Sequence, residues 1–210
     1  YKESAKDPVA WWAKLAREGI TWYKEWTETY KWDPPFYQWF IGAKLNISYN
    51  ALDGHINSWE RNKAAIIWEP EPPSEPHRVL TYYDLYQEVN KFANILKSLG
   101  VKKGDRVAVF LPNIPQFIIG YYGSLKAGAT VTAVSPLFKE RELEFQLNDS
   151  ESETIVCLDL LYPLVRAVRE KTKLRNILVA SIKGYMPSLK AVLGSLLGKV
   201  PSRRVPREAG

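Results

Sequence analysis

Short apolar segments alternate with amphipathic ones between residues 64 and 181, and this alternation is the main pattern of the chain. The apolar segments are largely apolar on both faces, which is typical of buried parallel strands. We predict five strands, at residues 64–68, 107–111, 130–134, 154–158 and 177–180. Helical segments join most of them. This order predicts an α/β fold, with a doubly wound, mostly parallel sheet and flanking helices.

Four segments are predicted to be helices. The first begins at Thr81, where Asp84 is a capping-box partner, and ends at Gly100. Its apolar side chains recur at helical spacing: Leu85, Val89, Phe92, Ala93, Leu96 and Leu99. The second begins at Pro115, ends at Gly128 and has little polar surface, so we expect it to be deeply buried. The other two lie at residues 139–147 and 161–171.

The first 63 residues differ from the rest because they are rich in aromatic side chains. Six of the eight tryptophans lie at or before residue 39, and the sequence Asp33-Pro34-Pro35 predicts a turn. We expect an aromatic N-terminal extension that wraps on a larger body. Platforms that stack nucleic-acid bases interleave aromatic with basic side chains, whereas acids such as Glu18 and Glu25 intervene here. The pattern therefore disfavours a nucleic-acid partner.

Residues 183–210 form a third region. Six apolar side chains repeat in it at helical spacing: Leu189, Val192, Leu193, Leu196, Leu197 and Val200. Lys190 and Lys199 lie opposite them, so residues 189–200 predict a basic amphipathic helix. Such a helix packs on its own protein or makes weak contact with an anionic membrane surface, and both readings stay open. The predicted regions are an extension at 1–63, an α/β subdomain at 64–182 and a tail at 183–210.

Composition is that of an ordinary globular protein. The chain has 210 residues, 46% apolar and 25% charged side chains, and a formal net charge of +6. The basic surplus suits acidic ligands such as nucleotides or CoA, and it also suits solubility alone. The single cysteine, Cys157, gives no disulfide framework. This favours the reducing cytoplasm, so we expect a cytoplasmic protein. The sequence also has no secretory signal and no run of roughly 18 apolar residues.

Residue types that carry catalysis are sparse. No glycine-rich phosphate loop, metal-ligand cluster or nucleophile–base pair occurs in the sequence, so we assign no catalytic residue and no metal ligand. His55 and His77 stand apart in loop-like segments without carboxylate or cysteine partners at ligand spacing. Arg166 and Arg169 share one helix face just after a predicted strand, where two guanidinium groups can bind a phosphate. The alternative is an exposed helix face beside Glu170.

Four stretches resemble the adenylate-forming enzymes. Residues 39–50, Trp-Phe-Ile-Gly-Ala-Lys-Leu-Asn-Ile-Ser-Tyr-Asn, resemble the entry segment of AMP-forming acetyl-CoA synthetases. Residues 80–108 resemble the opening of adenylate-forming enzymes generally. Residues 141–150 and 194–201 are closer to long-chain fatty-acid–CoA ligases. The resemblance covers nearly the whole chain, and the order and spacing of the stretches carry it.

The resemblance implies an AMP-forming acyl-CoA synthetase. In that family a carboxylic or fatty acid and ATP give an acyl-adenylate and pyrophosphate, and CoA then displaces AMP. The family's Ser/Thr/Gly-rich phosphate loop and Tyr-x-x-Thr-Glu motif do not occur in this sequence. The chain thus resembles an incomplete N-terminal domain of the adenylate-forming fold, whose partner is the remainder of the synthetase. ATP, Mg and CoA then belong to the complete enzyme, and this piece alone is expected to be inactive and to hold no cofactor tightly.

The resemblance also implies a role for two arginines. In acetyl-CoA synthetases a Val-Arg-Ala-Gly-Arg segment supplies arginines to the 3′-phosphate of CoA. Residues 165–169 read Val-Arg-Ala-Val-Arg, with valine in place of glycine and after a short insertion. The implied CoA-binding residues are therefore Arg166 and Arg169.

Two other functions stay open on the sequence. A free-standing, flavodoxin-like module would bind a nucleotide, a flavin or CoA at the strand ends. A membrane-surface protein would use the predicted helix at residues 189–200. The acyl chain length also stays open, because the front half of the chain resembles acetate enzymes and the rear half resembles fatty-acid enzymes.

Overall fold

The structure, a computed structural model, describes residues 2–69, 77–182 and Val205. The basic helix that the pattern predicts at residues 189–200 lies outside these residues, and so does most of the predicted tail.

The described helices are α1 (Lys2–Lys6), α2 (Pro8–Gly19), α3 (Ile47–Ala51), α4 (Tyr82–Ser98), α5 (Pro115–Ala127), α6 (Glu140–Asp149) and α7 (Tyr162–Val168). The described strands are β1 (Glu28–Asp33), β2 (Phe36–Ile41), β3 (Ala64–Trp68), β4 (Arg78–Thr81), β5 (Arg106–Phe110), β6 (Thr130–Ala133), β7 (Thr154–Leu158) and β8 (Asn176–Ala180). Short 3₁₀ turns lie at Asp53–His55, Trp59–Asn62 and Arg169–Lys171.

Four of these strands form a parallel sheet in the order β6-β5-β7-β8. Val107 of β5 pairs with Val131 of β6 on one side and with Thr154 of β7 on the other. Helices α4 and α5 pack on one face of the sheet, and α6 and α7 pack on the other. The predicted α/β fold with flanking helices is confirmed.

Strand β5 sends alternate side chains into two separate cores. Ala108 and Phe110 pack with α6 and α7, whereas Val107 and Val109 pack on the side of α4 and α5. All four side chains are completely buried. Because burial of a Val or Phe side chain stabilises a fold by about 1.5–3 kcal/mol, this central strand anchors both helical layers.

The segment at residues 64–68 is not a strand of the parallel sheet, so that prediction is wrong. It forms β3, which pairs antiparallel with β4 in a separate two-stranded sheet. The connection to β4, at residues 69–77, is shorter than the dozen or more residues that a parallel crossover needs. Ile67 is 62% exposed, which shows that β3 is not enclosed on both faces as a central parallel strand is.

Strands β1 and β2 form an antiparallel hairpin whose turn was predicted and whose strands were not. The strands are joined at Pro34 and Pro35, and Trp32 pairs with Tyr37 across the hairpin. The rings of Trp32 and Tyr37 stack with their centroids 6.3 Å apart. Aromatic residues favour strands, and in β1 Tyr30 and Trp32 alternate with Lys31 and Asp33. Strand β2 carries aromatic side chains on both faces, so the alternation of apolar and polar positions is clear in only one strand of the hairpin.

Helix α4 begins at the predicted capping box. The N–H of Asp84 donates to Thr81 Oγ1 at 3.1 Å, and the N–H of Thr81 donates to Asp84 Oδ2 at 3.0 Å. The Thr81 hydroxyl donates to the same carboxylate, and these bonds lower the pKa of Asp84. Two backbone amides at the start of the helix thereby obtain partners.

Helix α5 has no exposed residue, but only five of its thirteen residues are fully buried, so it is less deeply buried than predicted. Its Gly123 faces α4, where a Cβ atom would come within 2.6 Å of the Phe92 ring. Any larger side chain would push the two helices apart. Glycine therefore permits the close contact by which α4 is held over the sheet.

Two polar contacts fasten the N-terminal extension to α5. Asn46 Nδ2 donates to Leu125 O at 2.9 Å. Lys126 Nζ lies 2.6 Å from Asp53 Oδ1, and these side chains are only 21% and 18% exposed. Lys126 Nζ also lies 4.5 Å from the centre of the Tyr86 ring. A largely buried ion pair thus joins the segment after α3 to the helical layer of the sheet.

Replacing Lys126 by Met leaves the Asp53 carboxylate without its cation. We expect the free energy of unfolding, measured by chemical denaturation, to fall by about 1–3 kcal/mol. Adding Asp53→Asn should restore part of the loss, and a double-mutant cycle measures this coupling.

The matched control is Lys91→Met, because Lys91 pairs with Glu88 at 2.8 Å on an exposed surface. Such a pair contributes only about 0–1 kcal/mol. Equal effects of Lys126→Met and Lys91→Met would contradict the role assigned to the Asp53–Lys126 pair.

Candidate functional site

The carboxyl ends of the four parallel strands lie along one edge of the sheet, and ligands bind beyond this edge in open α/β sheets. We refer to it as the carboxyl edge. The segments that form it are residues 111–114 after β5, 134–138 after β6, 159–162 after β7 and 181–182 after β8.

Asp159 is the buried acid of the carboxyl edge, with 4% of its surface exposed. Its Oδ1 accepts a hydrogen bond from the N–H of Leu160 at 2.9 Å, and its Oδ2 accepts one from the Ser181 hydroxyl at 2.9 Å. Its own N–H donates to Ala180 O at 2.8 Å. These bonds occupy both carboxylate oxygens and join the ends of β7 and β8. We therefore interpret Asp159 as structural support rather than as a general base.

Gln116, in the first turn of α5, reaches the same edge. Its Nε2 donates to Ser181 O at 3.0 Å, whereas its Oε1 is buried and has no hydrogen-bond partner among the described residues. Gln116 lines one side of an open cavity of about 350 Å³ between α4, α5 and β8, which we call the β8 groove. The apolar lining of the groove includes Phe92, Ile95, Ile119, Val156, Leu178 and Ala180.

Cys157 is buried in β7, one residue before the strand ends at the carboxyl edge. Burial, followed by the nearby charge of Asp159, raises the pKa of the Cys157 thiol to about 12. Since the thiolate is the reactive form of cysteine, a thiol with this pKa is inert near neutral pH. Cys157 is therefore a core side chain and not a nucleophile.

We expect native Cys157 to resist alkylation by iodoacetamide at pH 8 and to react once the chain is unfolded in guanidinium chloride. Intact mass measures the modification. The matched control is Leu137→Cys, because Leu137 is 83% exposed at the carboxyl edge. The variant should gain one rapidly alkylated thiol. Alkylation of Cys157 in the folded chain at the rate of the introduced cysteine would contradict this assignment.

Arg166 and Arg169 lie on the face of the sheet that α6 and α7 cover. Helix α7 begins just after β7, as predicted, but ends sooner than predicted because Arg169 starts a 3₁₀ turn. Arg166 is exposed and Arg169 is half-buried. At 1.5 Å per residue, α7 carries Arg166 about 6 Å back from Tyr162 and from the carboxyl edge. The CoA contact of these arginines stays a prediction.

His55 has a carboxylate partner that the sequence pattern did not reveal. Its Nδ1 lies 2.8 Å from Glu60 Oε2, and Lys63 Nζ donates to Glu60 Oε1 at 3.0 Å. The bonds from His55 and Lys63 lower the pKa of Glu60. Two successive 3₁₀ turns bring these side chains together, and a separation of five residues matches neither helical nor strand periodicity. The His55 ring lies 4.9 Å from that of Tyr82, so the His55–Glu60 pair supports the start of α4. His77, the other histidine, is exposed.

Within residues 2–69 and 77–182, no three His, Cys, Asp or Glu side chains converge so as to hold a metal ion. In that same part of the chain, no helix combines the length and the apolar character that crossing a membrane requires. Neither finding assigns a function.

Two family models match consecutive parts of the chain. The family described as AMP-binding enzyme matches residues 53–201, and the family described as acetyl-coenzyme A synthetase N-terminus matches residues 1–51. The first match contains the whole parallel sheet and both of its helical layers. The second contains the aromatic hairpin and α3.

Several synthetases are similar to the chain. The acetyl-coenzyme A synthetase of Rubrobacter xylanophilus is 44% identical over 159 residues, which are 76% of this chain and 24% of that protein. That of Gemmatimonas aurantiaca is 40% identical over 186 residues, 84% of this chain and 28% of that protein. The 3-hydroxypropionyl-coenzyme A synthetase of Sulfurisphaera tokodaii is 40% identical over 163 residues, 77% of this chain and 24% of that protein. The chain spans about a quarter of the length of the curated relatives it matches.

These matches confirm the resemblance to acyl-CoA synthetases, and they do not specify the long-chain fatty-acid type. The fold agrees with them, because a parallel sheet between two helical layers is the N-terminal part of the adenylate-forming fold. The chain belongs to the AMP-binding enzyme family and corresponds to the N-terminal part of the AMP-forming acyl-CoA synthetases.

Proposed function

We propose that this chain is the N-terminal part of an ATP-dependent acyl-CoA synthetase. The complete enzyme joins a carboxylate to AMP, releases pyrophosphate and then transfers the acyl group to the thiol of CoA, releasing AMP. The observation that carries the proposal is the pair of adjoining family matches, at residues 1–51 and 53–201. Together they cover almost the whole chain, and the family described as an N-terminus matches first.

Within that enzyme the described segment serves as scaffold. At the carboxyl edge, Asp159 is occupied by Ser181 and the Leu160 amide, and Gln116 also donates to Ser181. These groups hold strand ends in place, and the neighbouring Cys157 thiol is buried and inert near neutral pH. ATP, Mg and CoA are therefore assigned to the complete enzyme, and the adenylation chemistry to residues outside this chain.

The proposed substrate class is a short carboxylic acid. Relatives named for acetate and for 3-hydroxypropionate are similarly identical to the chain, at 44% and 40%. Because synthetases named for two different acids are nearly equally identical to this chain, this segment does not determine which acid is selected. We infer that the residues that select the acid lie in the rest of the enzyme.

A chimera tests the proposal. Residues 1–201 of this chain replace the corresponding N-terminal part of the relative that is 44% identical, and acid-dependent ATP–pyrophosphate exchange is measured. We expect the chimera to retain activity within about tenfold of that relative, a loss below about 1.4 kcal/mol in transition-state stabilisation.

Two controls accompany that experiment: the chain alone and the relative's remaining part alone. Neither should catalyse ATP–pyrophosphate exchange. Circular dichroism confirms that the chimera is folded. A folded chimera without acid-dependent exchange would contradict the proposed function.

The proposal assigns CoA binding to Arg166 and Arg169. Arg166 is exposed in α7 and thus accessible to the 3′-phosphate of CoA. Guanidinium groups form charge-assisted, bidentate hydrogen bonds with phosphates, which suits them to this ligand. The match of residues 165–169 to the arginine segment of acetyl-CoA synthetases supports the same role.

In the active chimera, we expect Arg166→Ala to raise the KM for CoA about tenfold or more with a small change in kcat, because binding of CoA in the ground state is lost. The KM for ATP should not change. The control is Arg175→Ala, since Arg175 is exposed and pairs with Glu153 at 3.3 Å at the opposite edge of the sheet. An unchanged KM for CoA in Arg166→Ala would show that the assignment is wrong.

A further inference from the structure

Asp159 and Ser181 extend the pairing of β7 and β8 beyond the ends of the two strands. The backbone register ends with Leu158 opposite Ala180. One residue later, the N–H of Asp159 donates to Ala180 O at 2.8 Å, and the Ser181 hydroxyl donates to Asp159 Oδ2 at 2.9 Å. The side chain of Asp159 therefore fixes the point at which the chain leaves β7.

The same side chain shapes the turn that leads into α7. Only residues 159–161 separate β7 from α7. In this turn, Oδ1 of Asp159 accepts a hydrogen bond from the N–H of Leu160 at 2.9 Å. The N-cap residue of α7 is Leu161, whose side chain cannot accept a hydrogen bond from the helix. Asp159 thus supplies, just before α7, the directional side-chain bonds that the N-cap residue does not.

Apolar packing holds α7 on the sheet without fixing its direction. Val165 and Val168 are completely buried in the core on this face of the sheet, and Tyr162 is 7% exposed. Such burial is non-directional and scales with the apolar area removed from water. Hydrogen bonds depend on distance and angle, so those made by Asp159 constrain where α7 begins and which way it points.

Arg166 depends on that start because it lies within the first two turns of α7. It follows Tyr162 by four residues, about 6 Å along the helix axis, and it is exposed. A bidentate bond from a guanidinium to a phosphate requires both groups in one geometry. A misplacement of about 1 Å, caused by a mutation far from the reacting groups, can cost about 100-fold in activity. A small tilt at the start of α7 is therefore sufficient to weaken a phosphate contact.

We propose that Asp159 is a positioning residue for CoA binding, which holds the start of α7 so that Arg166 meets the 3′-phosphate of CoA. The inference rests on the proposed function. It adds a residue that acts without touching the ligand, since Asp159 is only 4% exposed. Gln116 supports the arrangement from α5 on the other face of the sheet, because its Nε2 donates to Ser181 O at 3.0 Å.

Substitutions of Asp159 in the active chimera test the proposal. Asp159→Ala removes the acceptor of both bonds, so we expect the KM for CoA to rise at least about fivefold, with kcat and the KM for ATP nearly unchanged. Asp159→Asn keeps an acceptor for the Leu160 N–H and a donor to the Ser181 hydroxyl, so its KM for CoA should stay within about twofold of the unsubstituted chimera.

The matched control is Asp105→Ala. Asp105 also accepts a backbone hydrogen bond, from the N–H of Lys102 at 2.7 Å, but it lies at the opposite edge of the sheet, just before β5. Asp105→Ala should leave the KM for CoA unchanged. A rise equal to that of Asp159→Ala would overturn the proposal.

A double-mutant cycle separates positioning from general support of the fold. If Asp159 acts through Arg166, Asp159→Ala should raise the KM for CoA by less than about twofold in a chimera that already carries Arg166→Ala. The same factor in both backgrounds overturns the proposal, and so does an unchanged KM for CoA in Asp159→Ala alone. An equal rise of the KM for ATP, or an equal fall of kcat, also overturns it, because either would show general structural damage.

Ser181→Ala keeps the question answerable if Asp159→Ala does not fold. This variant removes the bond to Asp159 Oδ2 but keeps the bond from Leu160, and it keeps the bond from Gln116 to the carbonyl of residue 181. We expect a smaller rise of the KM for CoA, about threefold. An unchanged KM for CoA in a folded Ser181→Ala chimera overturns the proposal.

Amide resonances of the 210-residue chain separate this inference from the proposed function. Asp159→Ala should shift those of residues 165–168 in α7, six or more residues from the substitution, and should leave those of α4 unchanged. Shifted α7 resonances, in a chain whose chimera lacks acid-dependent exchange, would contradict the proposed function and leave the anchoring of α7 by Asp159 intact. An active chimera, with α7 resonances that Asp159→Ala does not move, would retain the function and overturn this inference.

Discussion

The structure depends on burying β5 and β7 between two helical layers. Each strand sends apolar side chains to both faces, so neither strand is stable unless helices cover it on both sides. Phe110 and Val109 of β5 illustrate this, because they are neighbours in sequence and belong to opposite cores. The positions of α4 to α7, and of every group at the carboxyl edge, follow from that requirement.

The same requirement explains why the polar groups near the strand ends are structural. Asp159 is buried where β7 leaves the sheet, and its two oxygens accept hydrogen bonds from Leu160 and Ser181. A buried carboxylate without such partners would be costly. The N-terminal extension is fastened in a comparable way, since Asp53 meets Lys126 of α5 in a largely buried ion pair. The segment thus has the features of the scaffold that we propose it provides within the synthetase.

The sequence predicts the parts of this fold whose determinants are local. Continuous apolar runs identify β5 and β7, and the Thr81–Asp84 capping box marks the start of α4. The short apolar run of β3 is ambiguous, because a hairpin strand and a buried parallel strand of five residues look alike. Contacts between distant residues leave no periodic signal: Asp53 and Lys126 are 73 positions apart. The sequence predicts the candidate site only as the edge at which the strands end. The hydrogen bond between Ser181 and Asp159 could not be predicted, because it depends on β7 and β8 being neighbours in the sheet.

The central claim is that this chain is the N-terminal part of a larger synthetase, and the most direct measurement is the nucleotide sequence after the codon for Gly210 in the source gene. The account predicts an open reading frame that encodes the Ser/Thr/Gly-rich phosphate loop of the family, followed by a Tyr-x-x-Thr-Glu motif. A stop codon directly after Gly210, in a gene that is translated, would contradict it, since the protein would then hold the scaffold of the family without its adenylation motifs.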